Sequence, residues 1–418
     1  MKLRYNFRVY PSAPQRLALA QAFGCARVVW NDCLRARTVA HEAGLPYVKS
    51  AELSKLHITR AKRTRERSWL ADVSSVALQQ SLRDLDAAFK NFFDSARGKS
   101  RRRRTAPPRY KSKKDSRQSI RLTRSAFSLT GSGCVYVAKV GDLKVKWSRP
   151  LPAAPTSLTV VKDSAGRYFA SFVVETEPEV LPETDAEVGI DLGLTTFAVL
   201  SDGTKISSPK FLRRAERKLK HSQRDLSRKA KGSKNQAKAR IRLAKQHTQV
   251  CDRRRDWHHK ESTRLIRDNQ AVYVEDLAVS ALARTRLAKS VHDAGWASFV
   301  NMLEYKAAKH GRHFGKIGRF VPTSQLCSTC GHNDGPKPLH IRKWTCPECE
   351  TVHDRDENAA TNTLAAARAD RLNACGASVG PGAIPAQRDE TGGRHDGHPT
   401  AAVVPGRHAA GEHVNSSP

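Results

Sequence analysis

The chain has 418 residues, enough for roughly two to four domains, and its 74 Lys and Arg against 40 Asp and Glu leave a net charge of +34. Such an excess excludes the surface of an ordinary small-molecule enzyme and points to a polyanion, nucleic acid ahead of anionic membrane. No apolar run approaches the ~20 residues of a membrane span and the N-terminus lacks the apolar core of a signal peptide, so a cytoplasmic protein is expected.

Lys2 to Val9 alternates polar and apolar residues as a half-buried strand does. Ser12-Ala13-Pro14 then supplies a capping residue and an early proline, and a helical pattern runs to about Arg97. Leu17, Ala20, Gln21 and Gly24 form one expected face, and Val76, Leu78, Leu82, Leu85, Phe89 and Phe92 another. Residues 98–117 are strongly basic, with Arg101, Arg102, Arg103 and Arg104 consecutive; a solvated linker and a nucleic-acid contact both fit such a run. Between 118 and 177 the period is that of strands: Ser119–Thr123, Phe127–Leu129, Val135–Val137, Leu143–Trp147, and a hairpin of Leu158–Lys162 with Tyr168–Glu175. The simplest arrangement is a small β-barrel with the helical block inserted after its first strand.

After a linker at Pro178 to Pro182, residues 187–200 read as strand, glycine-permitted bend and strand, with Asp191 inside the apolar run VGIDLG. Lys210 to Arg267 is a basic helical hairpin interrupted near Gly232-Ser233. A buried strand, Ala271 to Leu277, carries Glu275 and Asp276 at its end. Val291 to His310 is expected as one helix packed through Trp296, Phe299, Met302, Leu303 and Tyr305, and Phe314 to Val321 as a further strand. Beyond about Ala374 the Gly, Pro, Ala, His and Ser-rich chain has no periodicity and is expected to be a disordered tail over 375–418.

Two Cys-x-x-Cys pairs, Cys327 with Cys330 and Cys346 with Cys349, stand fifteen residues apart. That spacing is the one two knuckles use to surround a tetrahedral zinc ion, here closed and structural; four unrelated thiols are the bland alternative. An acid within an apolar strand is costly to bury unless it is paired or holds a metal. Asp191, Glu275 and an aspartate at the head of the last helix together reproduce the RNase H/RuvC arrangement, in which carboxylates hold two divalent ions; oxygen ligands of this kind select magnesium, with manganese possible. Asp354 and Glu357 have capping spacing, whereas Asp356 shares a face with Ala359, Ala360, Thr363, Leu364 and Ala367. Asp356 is therefore the expected ligand, while Asp354 and, beside Glu275, Asp276 stay open as assistants.

The motifs GIDLG, VEDL, DAGW (293–296), SQLCSTCG (324–331), WTCPEC (344–349) and HDRDENAA (353–360), with looser agreement at ARVVWN, ALQQSL and KNFF, resemble the TnpB family. Its members are transposon-encoded RNA-guided DNA endonucleases similar to the ancestors of type V CRISPR effectors. The resemblance implies an α+β multidomain fold. It consists of a wedge β-barrel (1–10 and 98–180) with an inserted helical recognition domain (11–97), and an RNase H-like RuvC domain (181–325 and 350–374) with a zinc-ribbon insertion (326–349). It implies Asp191, Glu275 and Asp356 as the catalytic magnesium triad and the four cysteines as zinc ligands. It further implies guide RNA and double-stranded target DNA as partners, with Gln79 near the duplex motif beside the target. A monomer, nucleoid-associated when on DNA, is the accompanying expectation. An unguided RuvC-like transposase and a non-catalytic zinc-ribbon accessory are the alternatives.

Overall fold

The computed structural model describes residues 1–99, 104–131, 133–338 and 340–374. Strand β1 (Lys2–Val9) is followed by α1 (Ala13–Glu42), whose first turn is closed by a capping box. The Ser12 hydroxyl accepts from the Gln15 amide, and the Gln15 side chain accepts from the Ser12 amide at 2.9 Å. The short helix α2 (Ser50–Ser54), π- and 3₁₀-turns and α3 (Ser75–Ala96) complete the helical block. The expected face of α1 is displaced: Leu17 is 64 % exposed, and Leu19, Phe23, Ala26, Val29 and Trp30 are buried instead. Both stripes have helical spacing, and the one that removes more apolar area from water faces the core.

Seven strands form one sheet in the order β2-β6-β7-β1-β5-β4-β3, from β2 (Gln118–Thr123), β3 (Phe127–Leu129), β4 (Cys134–Val137), β5 (Gly141–Lys146), β6 (Pro155–Lys162) and β7 (Tyr168–Glu175). β1 lies centrally, antiparallel to β7 along its whole length and to β5 at its end. The helical block is thus inserted between a central strand and its neighbours, and one hydrophobic core, from Phe7 and Phe172 to Leu19, Leu78 and Leu85, serves both. Part of the basic segment is pinned rather than free. Trp30 donates to the Arg109 carbonyl, and the Lys111 ammonium sits 3.7 Å from the Trp30 ring centre. Arg104 is exposed, Gln79 projects outward from α3, and Arg101, Arg102 and Arg103 lie outside the described residues, as does the expected tail.

The second sheet has the order β10-β9-β8-β11-β12, built from β8 (Glu187–Leu192), β9 (Thr196–Leu200), β10 (Lys205–Ser207), β11 (Ala271–Glu275) and β12 (His313–Ile317). β8, β9 and β10 are antiparallel, while β8, β11 and β12 run parallel, the RNase H-like plan. Between them come α4 (Phe211–Ser227), α5 (Lys234–Asp268), α6 (Val279–Leu282), α7 (Ala288–Ala294) and α8 (Trp296–His310). The helix expected over 291–310 is two helices, because Gly295 adopts φ 68° and turns the chain between them. Tyr305 is exposed; the buried stripe runs Phe299, Met302, Leu303, Lys306 and Ala307, the positions one and two turns on from Phe299. The strand expected to reach Val321 ends at Ile317, where pairing with β11 runs out at Glu275. The hairpin of β13 (Lys343–Thr345) with β14 (Val352–Asp354) and then α9 (Arg355–Ala374) close the described chain.

Candidate active site

β8 and β11 are in parallel register through Ile190 and Val274, so the next residues, Asp191 and Glu275, stand side by side at the carboxyl ends of adjacent strands. This is where open α/β sheets place their ligand crevice. Asp356 arrives from the first turn of α9, which packs directly on β8. A Cβ on Gly189 would lie 2.3 Å from the Ala360 carbonyl and 2.6 Å from the Leu364 amide, so only glycine admits the helix this close. The expected face of α9 is the buried one, with Ala359, Ala360, Thr363 and Ala367 under 9 % exposed.

All three acids line one cavity of about 780 Å³. Burial, then the Glu275 and Asp356 carboxylates, push Asp191 up to about 8, with Arg355 and Arg342 opposing. Accumulated negative charge of this kind is relieved by a cation. Asp356 also faces Arg342, at 3.2 and 3.3 Å.

The four cysteines meet closely. Their sulfurs all lie within 4.8 Å, with Cys327 to Cys349 at 3.6 Å and Cys330 to Cys346 at 3.7 Å. A disulfide needs about 2.0 Å, whereas sulfurs about 2.3 Å from a tetrahedral zinc sit about 3.8 Å apart. The donor set and spacing therefore fit zinc.

A family model described as "Probable transposase" matches residues 171–286, and one described as "Cas12f1-like, TNB domain" matches 296–363. A third, "Helix-turn-helix domain", matches 1–45, although those residues hold β1 and a single 30-residue helix. The chain is 46 % identical over 388 residues to a Streptomyces pristinaespiralis protein named "Putative RNA-guided DNA endonuclease", covering 91 % of this chain and 92 % of that one. The chain belongs to the TnpB family. InsQ of Escherichia coli K12 is 30 % identical, over 90 % of this chain and 95 % of its own. In fold, the chain is similar to Cas12f1 as solved in a complex with guide RNA and target DNA: TM-score 0.53, 13 % identity, covering 87 % of this chain and 98 % of that one.

Within this TnpB chain the two alternative acids have other partners. Asp354 accepts from the Asp356 and Glu357 amides, capping α9, and pairs with Lys205 at 2.7 Å. Asp276 pairs with Arg319 at 2.6 Å and does not line the cavity of the three acids. Several residues around the site were not legible from spacing. The Thr323 hydroxyl donates to the Glu275 carboxylate. Asn358 and Asn362, both buried, donate to the carbonyls of Thr323 and Leu326, and Asn358 also accepts from the Ser328 amide. His353 Nε2 lies 3.0 Å from Cys327 Sγ, with its ring tilted on Trp344. Two amides at i and i+4 on an otherwise alanine face were the available signal for the asparagine pair.

Proposed function

We propose that the chain is an RNA-guided DNA endonuclease of a mobile element, hydrolysing the phosphodiester at Asp191, Glu275 and Asp356. The observation carrying this reading is that three acids from distant segments, each in a TnpB motif, line one cavity that Lys210, Arg213, Arg342 and Arg355 also line. Magnesium, as two ions, is the proposed catalytic metal, with manganese able to substitute; when bound, such ions supply a Lewis acid for the scissile phosphate and a hydroxide at neutral pH. Asp191, Glu275 and Asp356 would hold the ions, Thr323 would orient Glu275 through its hydroxyl, and Arg342, now paired with Asp356, would share that carboxylate. Zinc is the proposed ion of the four cysteines, a structural role in keeping with a ribbon core of little more than Cys327, Trp344 and Cys346.

The proposed division is a wedge barrel (1–10, 98–180), a recognition domain (11–97), a RuvC domain (181–325, 350–374) and a zinc-ribbon insertion (326–349). Guide RNA and duplex DNA are the proposed partners of the +34 charge, and guide pairing would read the sequence. Gln79 and the Arg101 to Arg104 run are candidate contacts to them. The proposed active unit is a monomer in the cytoplasm, on the nucleoid when bound to DNA; no described helix is long and apolar enough to cross a membrane. The test is Asp191→Ala, which should abolish magnesium-dependent cleavage and leave RNA binding intact. Loss of RNA binding in that variant would make the acid structural.

A further inference from the structure

The cavity of the three acids is also lined by Lys210, Arg213, Ser290 and Asp293. Asp293 is 7 % exposed, and both its oxygens are engaged: Oδ1 accepts from the Leu212 amide at 2.8 Å and Oδ2 from the Arg213 amide at 3.1 Å. These amides open α4, whose own N-cap residue, Lys210, contributes no side-chain bond. A carboxylate on the first amides of a helix satisfies them and meets the positive end of the dipole. Here that carboxylate comes from another helix, 81 residues along the chain.

The cap is itself held in place. Arg254 of α5 donates to the carbonyls of His292 and Asp293, and His258 lies 2.9 Å from the Ala294 carbonyl. At Gly295 a Cβ would meet His258 and Arg254 at 3.2 and 3.3 Å, so α7 is wedged against α5. The Arg213 guanidinium donates to Ser290 at 2.8 Å, fixing it against the same short helix. Lys210 stands at φ 48°, ψ 48°, a left-handed conformation that lysine rarely adopts, and such strain persists only where the surroundings impose it. Neither cation has a carboxylate partner among the described residues, although both line a cavity containing four acids. A charge that serves only solubility needs neither a strained backbone nor a borrowed cap.

We infer that Lys210 and Arg213 form a clamp for the phosphodiester backbone of the strand entering the cavity, and that Asp293 is the positioning residue that aims them. The inference rests on the nuclease reading above. It is tested with the guide-loaded complex and a labelled single-stranded target oligonucleotide complementary to the guide, extended past the paired region. Binding is followed against salt in the Asp191→Ala background, and KM and kcat with Asp191 intact. Arg213→Gln and Lys210→Gly should each lower the slope of log K against log salt by about 0.7, one single-strand phosphate contact, and raise KM more than they lower kcat. Lys210→Gly should do so while raising the melting temperature, since glycine relieves the φ 48° strain.

Asp293→Asn gives the opposite signs for the two explanations. Removing a negative charge from a DNA site strengthens binding by simple electrostatics, whereas loss of positioning weakens it and flattens the slope. Tighter binding by Asp293→Asn would overturn the positioning role. Unchanged slopes and KM in Arg213→Gln and Lys210→Gly, with guided cleavage by the parent intact, would overturn the clamp. Failure of the parent to cut guide-matched DNA would instead overturn the nuclease reading on which it rests.

Discussion

Thr323 links two parts of the molecule through a single residue. Its hydroxyl donates to Glu275, and its carbonyl accepts from both Asn358 and Asn362 of α9. The helix that carries Asp356 therefore also grips the loop that orients Glu275. Thr323→Val keeps the shape and removes only the hydroxyl, so divalent affinity should fall about 10–100-fold while the melting temperature barely moves. Titration calorimetry with magnesium reads the first and thermal unfolding the second; an unchanged affinity would mean that Thr323 only closes its loop. Asp191, Glu275 and Asp356 were legible from sequence because each breaks a local rule, an acid in an apolar strand or on an apolar helix face. Thr323 and Asp293 break none, and the local trace of Asn358 is its i, i+4 spacing with Asn362. Their hydrogen bonds run to main-chain atoms or side chains 30 to 81 residues away, which no local period records.

At the scale of elements, α9 on β8 decides whether the acids meet. Gly189→Ala places a Cβ 2.3 Å from the Ala360 carbonyl, and the atom it meets is backbone, so the helix must shift. A loss of about 1–3 kcal/mol in urea unfolding is expected, together with a fall in cleavage; wild-type stability would show that α9 yields freely. The elbow at Gly295 has its own pH signature. His258 packs among Phe197, Trp257 and Phe299, faces the Ala294 carbonyl, and has Arg254 and His259 as charged or titratable neighbours. Burial first, then Arg254 and His259, hold it down to about 4, against a helpful bond from Ala294. The unfolded chain then takes up the proton first, so this contribution is complete above about pH 6.5 and drains away as pH falls toward 4. Between pH 7 and 5 unfolding should become easier by about 2 kcal/mol. His258→Gln should flatten that dependence, and an equal slope in the variant would assign it elsewhere. Strand and helix periods located most of these elements. They failed where two stripes of one helix compete, as on α1, and where one glycine breaks a continuous pattern, as at Gly295.

At the scale of the whole molecule, the alternating run Lys2 to Val9 was the key sequence signal. A lone strand before a helical block must find partners later in the chain, and β1 does so at the centre of the seven-stranded sheet. The barrel and the helices consequently share one core, while the second sheet has its own, from Val188 and Ile190 to Phe299 and Leu303. The full chain carries a net charge of +34, which has physical sense against two nucleic acids at once. The most direct measurement is cleavage of a guide-matched DNA duplex in magnesium buffer, by the protein purified with its RNA and by the same protein stripped of it. The RNA-loaded protein should cut at the matched site, and the stripped protein should not cut. Equal cutting by both, at sites unrelated to the RNA sequence, would contradict the guided reading and leave an unguided nuclease.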